Sequence, residues 1–180
     1  EHLGSRSWQK NGSEQIVPTI ARGVLLDIAA ARGDECLPPS YGITIEDCQA
    51  AAKRQNVTIR EGDVVLLRTG RMRYWPDGSK VFGDSPGITL DAAKWLTSQN
   101  IVVLGADNEA VEHTPSRHDD NWLPVHNHLL TEAGVPQIEC LNLEELSRDK
   151  VYEFAFIGAP IRLRGATGSP LRPLAFPLRP

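Results

Sequence analysis

The chain has 180 residues, 41% hydrophobic and 23% charged, with a formal net charge of −4. That is the composition of a globular protein with enough chain to bury a core of its own. The acidic balance removes the global basic field that recruits nucleic acid, and the local run Arg162, Arg164, Arg172 and Arg179 is diluted by Gly and Pro without interleaved aromatics. No apolar run is long enough to span a bilayer, since residues 24–28 are short and interrupted by Asp27. Cys36, Cys48 and Cys140 form no C-x-x-C pair and leave one over, which reads as a reduced, cytoplasmic protein. The first residue is Glu1 and the only methionine is Met72, so the expectation is a chain cut from a longer one.

Residues 1–19 are polar, with Trp8 the only large apolar anchor, and read as a lead-in preceding one domain over residues 20–180. Residues 20–28 (IARGVLLDI) predict a buried strand, followed by a loop through Leu37-Pro38-Pro39-Ser40. Thr44 and Asp47 open a helix that runs to about Gln55. Residues 63–69 (DVVLLRT) predict a second strand, and residues 70–87 a long connection carrying Tyr74 and Trp75. Thr89 caps the next helix, and residues 101–106 (IVVLGA) predict a third strand. A polar loop over 107–123 holds His113, His118 and Trp122. The helix of His126 follows, then a strand over 137–141 and a one-turn helix capped by Asn142. Residues 152–159 and 161–163 predict two more strands before a Pro-rich end. Strands and helices alternate through the middle while strands cluster late. The fold class is therefore α/β, a mixed sheet with flanking helices.

His126 and Glu139 carry the main chemical signal. An imidazole and a carboxylate brought together at a sheet edge form half of a metal site, or an acid/base pair. Each candidate has a bland alternative. His126 can be a helix-start histidine without a role, and Glu139 a salt-bridge partner. Arg68, ending a strand beside a long loop, can anchor a substrate carboxylate or pair with an acidic neighbour. Asp107, at the carboxyl edge of the third strand, can contact a ligand or cap a turn. Tyr74 and Trp75 can line a pocket or cover the core. His113, His118, Asp119 and Asp120 match no metal-ligand spacing and read as a solvated loop. The 165–170 loop lacks a Lys-Ser/Thr ending and reads as a turn, not a phosphate loop.

Six stretches, in order, resemble the cyclase family of kynurenine formamidase-like, arylformamidase-like and isatin hydrolase-like metal-dependent hydrolases. They are residues 23–27 (GVLLD), 62–70 (GDVVLLRTG), 105–107 (GAD), 124–139 from Pro-Val-His to Ile-Glu, 142–146 (NLEEL) and 165–173 (GATGSPLRP). The resemblance implies a swivelling β/β/α domain in homodimers or homotetramers. It also implies a divalent metal, Zn²⁺ or Mn²⁺, and hydrolysis of a small amide or lactam, often aromatic, as in tryptophan catabolism. His126 and Glu139 match the family's later histidine and glutamate as catalytic residues and metal ligands; Arg68, Trp75 and Asp107 are the substrate-side candidates. The family's His-x-x-x-His-x-Asp element, or its reduced Asp-x-x-x-His form, precedes these stretches. None of His2, His113, His118, His126 or His128 falls in it. The alternative is a catalytically silent relative that keeps the fold as a binding or assembly subunit.

Overall fold

The structure, a computed structural model, describes residues 12–178, so Trp8, His2 and Arg179 lie outside the described residues. The chain divides into a larger unit, Gly23–Glu153, and a smaller one built from Glu1–Arg22 and Phe154–Pro180. Its elements in chain order are β1 (Thr19–Asp27), α1 (Ile28–Arg32), β2 (Gly42–Ile43), α2 (Ile45–Gln55), β3 (Val64–Arg68), α3 (Gly78–Val81), β4 (Gly87–Ile88), α4 (Leu90–Thr97), β5 (Val103–Ala106), α5 (Pro124–His126), β6 (Gln137–Ile138), α6 (Glu144–Arg148), β7 (Glu153–Gly158) and β8 (Leu174–Pro177). A 3₁₀ turn at Arg71–Tyr74 precedes α3, and a π-helical turn at Asn127–Ala133 continues α5. The main sheet is mixed and six-stranded, with helices flanking it, as the alternating pattern predicts.

In the larger unit every strand pairing of this sheet is parallel. β1 aligns with β3 from Gly23↔Val64 to Asp27↔Arg68, β3 with β5 from Val64↔Val103 to Leu67↔Ala106, and β5 with β6 through Leu104↔Gln137. All five residues of β3 are buried. A strand covered on both faces needs apolar side chains at every position, which is why DVVLLRT shows no alternation. One face packs against α2 and α4 through Val24, Leu26, Val65, Leu67, Cys48, Ala51, Ala93 and Leu96, all fully buried. Each large side chain among them contributes about 1.5–3 kcal/mol of transfer free energy. Because the strands are parallel, their carboxyl ends fall along one edge, bringing Asp27, Arg68, Asp107 and Glu139 to the same side.

Local signals account for the helices. Thr44 accepts from the Asp47 N–H while the Asp47 carboxylate accepts from the Thr44 N–H, a reciprocal capping box at the start of α2. The Thr89 hydroxyl caps α4 and also donates to the Ile43 carbonyl, tying α4 to the small β2–β4 sheet. α1 was not expected. Asp27 caps it by accepting from Ala30 N–H, and Gly33 closes it at φ 85°.

Several expected boundaries move. β6 stops at Ile138 rather than 141, because Cys140 takes φ 55° and its N–H turns away to the Asn108 carbonyl. Asn142 accepts from Glu144 N–H, but α6 begins after Leu143, one residue later than expected. In the smaller unit, residues 161–163 form no strand. Ile161 N–H reaches Pro170 and Leu163 accepts from Ala166 N–H, turning the segment into a loop. The partner of β7 is instead β8, antiparallel from Phe154↔Pro177 to Ile157↔Leu174. β8 is exposed throughout, which is where a sheet tolerates proline. Ser13 and Glu14 clasp this loop, Ser13 N–H donating to the Ala166 carbonyl and the Glu14 carboxylate accepting from Gly165 N–H.

Candidate functional site

The site forms where α5 begins. Pro124 opens the turn without needing a hydrogen-bond acceptor for its nitrogen. The next two N–H groups, of Val125 and His126, donate to the Glu112 carboxylate at 3.2 and 3.0 Å. The same carboxylate lies 2.6 Å from His126 Nδ1. An ionised carboxylate only accepts, so Nδ1 carries a proton. On the other side of the ring, Nε2 lies 3.2 Å from Glu139 Oε1. Glu112 is 2% exposed, His126 20% and Glu139 39%, so the chain of three groups runs from the interior to solvent. Burial works against a charged imidazole here, but the hydrogen bonds and charges of Glu112 and Glu139 outweigh it and raise the His126 pKa to about 9. At neutral pH the ring is therefore a held imidazolium with its Nε2 proton toward the exposed side.

Glu112 is fixed by its backbone. Asn108 Nδ2 donates to the Glu112 carbonyl at 3.1 Å and to the Pro86 carbonyl at 2.7 Å. Ile88 forms a parallel bridge with Glu112, and a Cβ on Gly87 would lie 2.3 Å from the Glu112 carbonyl carbon. The preceding residue, Val111, sits at φ 60°, a conformation a β-branched residue adopts only when its surroundings impose it. Sequence reasoning missed Glu112 entirely. It lies in a loop with no periodicity, fourteen residues from the histidine it holds.

The other expected site residues have separate places. Asp107 is fully buried, accepting from Thr69 N–H, Thr69 Oγ1 and Gly70 N–H at 2.8, 2.7 and 2.8 Å. Burial pushes its pKa up to about 6, against the pull of those three bonds. Its geometry is that of a turn cap binding β5 to the end of β3. Arg68 has its fork on Glu144 (2.8 and 3.0 Å) and Nη1 on Asp27 (2.9 Å), which matches the ion-pair alternative. Trp75 is 60% exposed, so it does not cover the core. His118, Asp119 and Asp120 are exposed as a solvated loop predicts, whereas His113 is buried.

A zinc site takes three or more donors from the protein. Glu139 is one donor of suitable type and His126 Nε2 a second only if it gives up its proton, and among the described residues no cluster of three or more His, Cys, Asp or Glu could hold an ion. The described residues therefore do not fit a metal on their own.

The carboxyl edge of a parallel α/β sheet is where such folds bind ligands. The chain belongs to the cyclase family: the family described as "Putative cyclase" matches residues 3–113. A crystal structure of a novel cyclase is similar at 37% identity and TM-score 0.77, over 87% of this chain and 52% of that one. An isatin hydrolase bound to the product analogue thioisatinate is similar at 25% identity and TM-score 0.72, over 87% of this chain and 59% of that one. Isatin hydrolase A from Labrenzia aggregata, bound to benzyl benzoate, is similar at 27% identity and TM-score 0.73, over 93% and 66%. The chain thus spans about half the length of the first of these and up to two thirds of the others. No curated protein matches it. Among the described residues no helix is long and apolar enough to cross a membrane.

Proposed function

We propose that this chain is part of a hydrolase that opens a C–N bond of a small aromatic amide or lactam, as the isatin hydrolases it resembles and the arylformamidases of its family suggest. The observation that carries the reading is the Glu112–His126–Glu139 chain of hydrogen bonds in a cyclase-family fold. Glu112 holds the imidazole by Nδ1 and by the backbone of its own turn, so Nε2 is aimed outward. An imidazolium in that position donates a proton to the departing nitrogen, and the neutral ring left behind accepts one back. Glu139, partly exposed, keeps the ring charged until the proton is needed.

In this proposal a divalent ion, Zn²⁺ or Mn²⁺, supplies the activated water when bound. Glu139 would be one ligand of that ion; His126, while its Nε2 carries the proton, serves as the acid and not as a ligand, and the remaining ligands would have to come from outside the described residues. A homodimer or homotetramer in the cytoplasm completes the proposal. The test is turnover of isatin and of an aryl formamide by the native protein supplied with Zn²⁺ or Mn²⁺. His126→Gln is expected to lower kcat by roughly 10²–10⁴-fold with a smaller change in KM. Unchanged kcat in that variant would remove His126 from catalysis. The donor count among the described residues favours one second reading, a fold-keeping binding or assembly subunit. That reading predicts neither metal uptake by elemental analysis nor turnover.

A further inference from the structure

Arg71 is a buried cation without an anion. It is 9% exposed, with Nε donating to the Val81 carbonyl at 3.1 Å and Nη2 to the Asp84 carbonyl at 3.2 Å. Carbonyls solvate a guanidinium but do not neutralise it, and no carboxylate among the described residues lies within ion-pair distance. Its neighbours differ. Arg68 is matched by Asp27 and Glu144, Arg73 by Glu35 at 2.8 Å, and Lys80 by Asp77 at 3.1 Å. Nη1 of Arg71 has no partner among the described residues. Burying a charge this way is costly, so the fold must hold it deliberately. The Arg71 N–H donates to Thr69 Oγ1, and Thr69 is itself pinned by Asp107.

Arg71 lines a cleft of about 540 Å³, along with Lys80, Ser79, Tyr74, Pro38 and Pro39. Two prolines and a phenol ring offer flat apolar walls, and the Lys80 ammonium stands 5.9 Å from the Tyr74 ring centroid at the rim. We propose that this cleft binds an arene carboxylate, with the carboxylate on Arg71 and the ring against Tyr74 and the prolines. Arg68 and Trp75, the candidates the sequence offers for that task, are respectively paired and exposed outside the lining. The proposal concerns binding alone and stands whether or not His126 is catalytic.

The test is a titration of the ¹⁵N-labelled native protein with benzoate and with neutral benzamide at constant ionic strength. Benzoate is expected to bind saturably with amide shifts centred on residues 71–80, and benzamide about tenfold or more weaker. Arg71→Gln should weaken benzoate by about tenfold or more, and Tyr74→Ala by severalfold. Shifts centred elsewhere, equal affinity for benzamide, or equal affinity for chloride would each overturn the proposal. Should Arg71→Gln fail to fold, Tyr74→Ala decides, since its side chain is partly exposed; unchanged benzoate affinity there rejects the site. Because no turnover is measured, failure here leaves the hydrolase reading untouched.

Discussion

Arg68 gives the sharpest quantitative expectation, because a buried pair and a substrate anchor respond oppositely to its removal. Its side chain is 6% exposed and that of its partner Asp27 is 2% exposed, whereas Glu144 is 30% exposed. Burial opposes the guanidinium's charge, but Glu144 and Asp27 together raise its pKa further above the normal arginine range. Arg68→Met keeps the bulk of the side chain but strands Asp27 as a buried carboxylate, with only the Ala30 N–H and the Ser147 hydroxyl to satisfy it. Breaking a buried pair from one side costs about 3–5 kcal/mol, a large part of a typical folding free energy. Glu144→Gln, at a site open to water, should cost no more than about 1 kcal/mol. Adding Asp27→Asn to Arg68→Met removes the stranded charge and should recover about 1 kcal/mol or more, since Asn can still cap α1. Urea unfolding at pH 7, with midpoints compared at constant m, measures all three. A loss below about 1 kcal/mol in Arg68→Met would refute the pairing argument, most plainly if ligand binding fell instead.

Glu112→Gln keeps one acceptor oxygen, so it turns an NH₂ toward either the Val125 N–H or the His126 pair of donors, and it removes the charge that holds the imidazolium; stability should fall by about 2 kcal/mol or more at pH 7. The pH dependence has a defined sign. The folded His126 pKa is raised to about 9 from an unfolded 6.5, so its contribution is complete below pH 6.5 and lost as pH rises through 9. That contribution is roughly 3 kcal/mol at most, and the gap between wild type and Glu112→Gln in chemical denaturation should narrow by that part as pH rises to 10, leaving the pH-independent cost of the lost backbone acceptor. Asp107→Asn turns an NH₂ toward one of the N–H or O–H donors it now serves, at a cost of about 2–3 kcal/mol read by thermal unfolding. Gly87→Ala drives a methyl into the Val111 and Glu112 backbone and should cost more than about 2 kcal/mol, with the loss of His126 protonation visible by imidazole NMR. Thr44→Ala should cost only about 1 kcal/mol, the value of one helix cap.

The parts of the fold legible from sequence are those set by neighbours in the chain. The α2 capping box needs only Thr44 and Asp47, three residues apart, and the helix begins where they place it. β3, β5 and the second half of β1 (residues 23–27) are short apolar runs closed by a charged or polar residue, a pattern a doubly covered strand imposes. The misplacements come from backbone partners that the local pattern does not reveal. Residues 161–163 alternate like a strand, but their backbone groups are taken by Pro170 and Ala166, while β8 includes Ala175 and Pro177, which strand propensity disfavours.

The site shows the same division more sharply. His126 and Glu139 stand out because a Pro-Val-His turn and an apolar strand frame them locally. Glu112 does not, since nothing in the composition of the 107–123 loop separates it from Glu109, which is spent on the Gly83 N–H. What selects Glu112 is Gly87, the one residue small enough to let β4 approach the Val111–Glu112 backbone, together with Asn108, which holds the Glu112 carbonyl from inside the same loop. Those constraints force Val111 into the left-handed region and turn the next side chain inward, under the start of α5. Asp107 and Arg68 have the inverse history: their charges are conspicuous in apolar strands, yet the fold spends both on holding strand ends together. In a parallel sheet the carboxyl edge is where ligands bind and also where strand ends must be tied down, so a charged residue at that edge is evidence for either role. Only the count of partners separates them, and by that count Arg71, with two carbonyls and no carboxylate, is the cation at this edge still lacking an anion among the described residues.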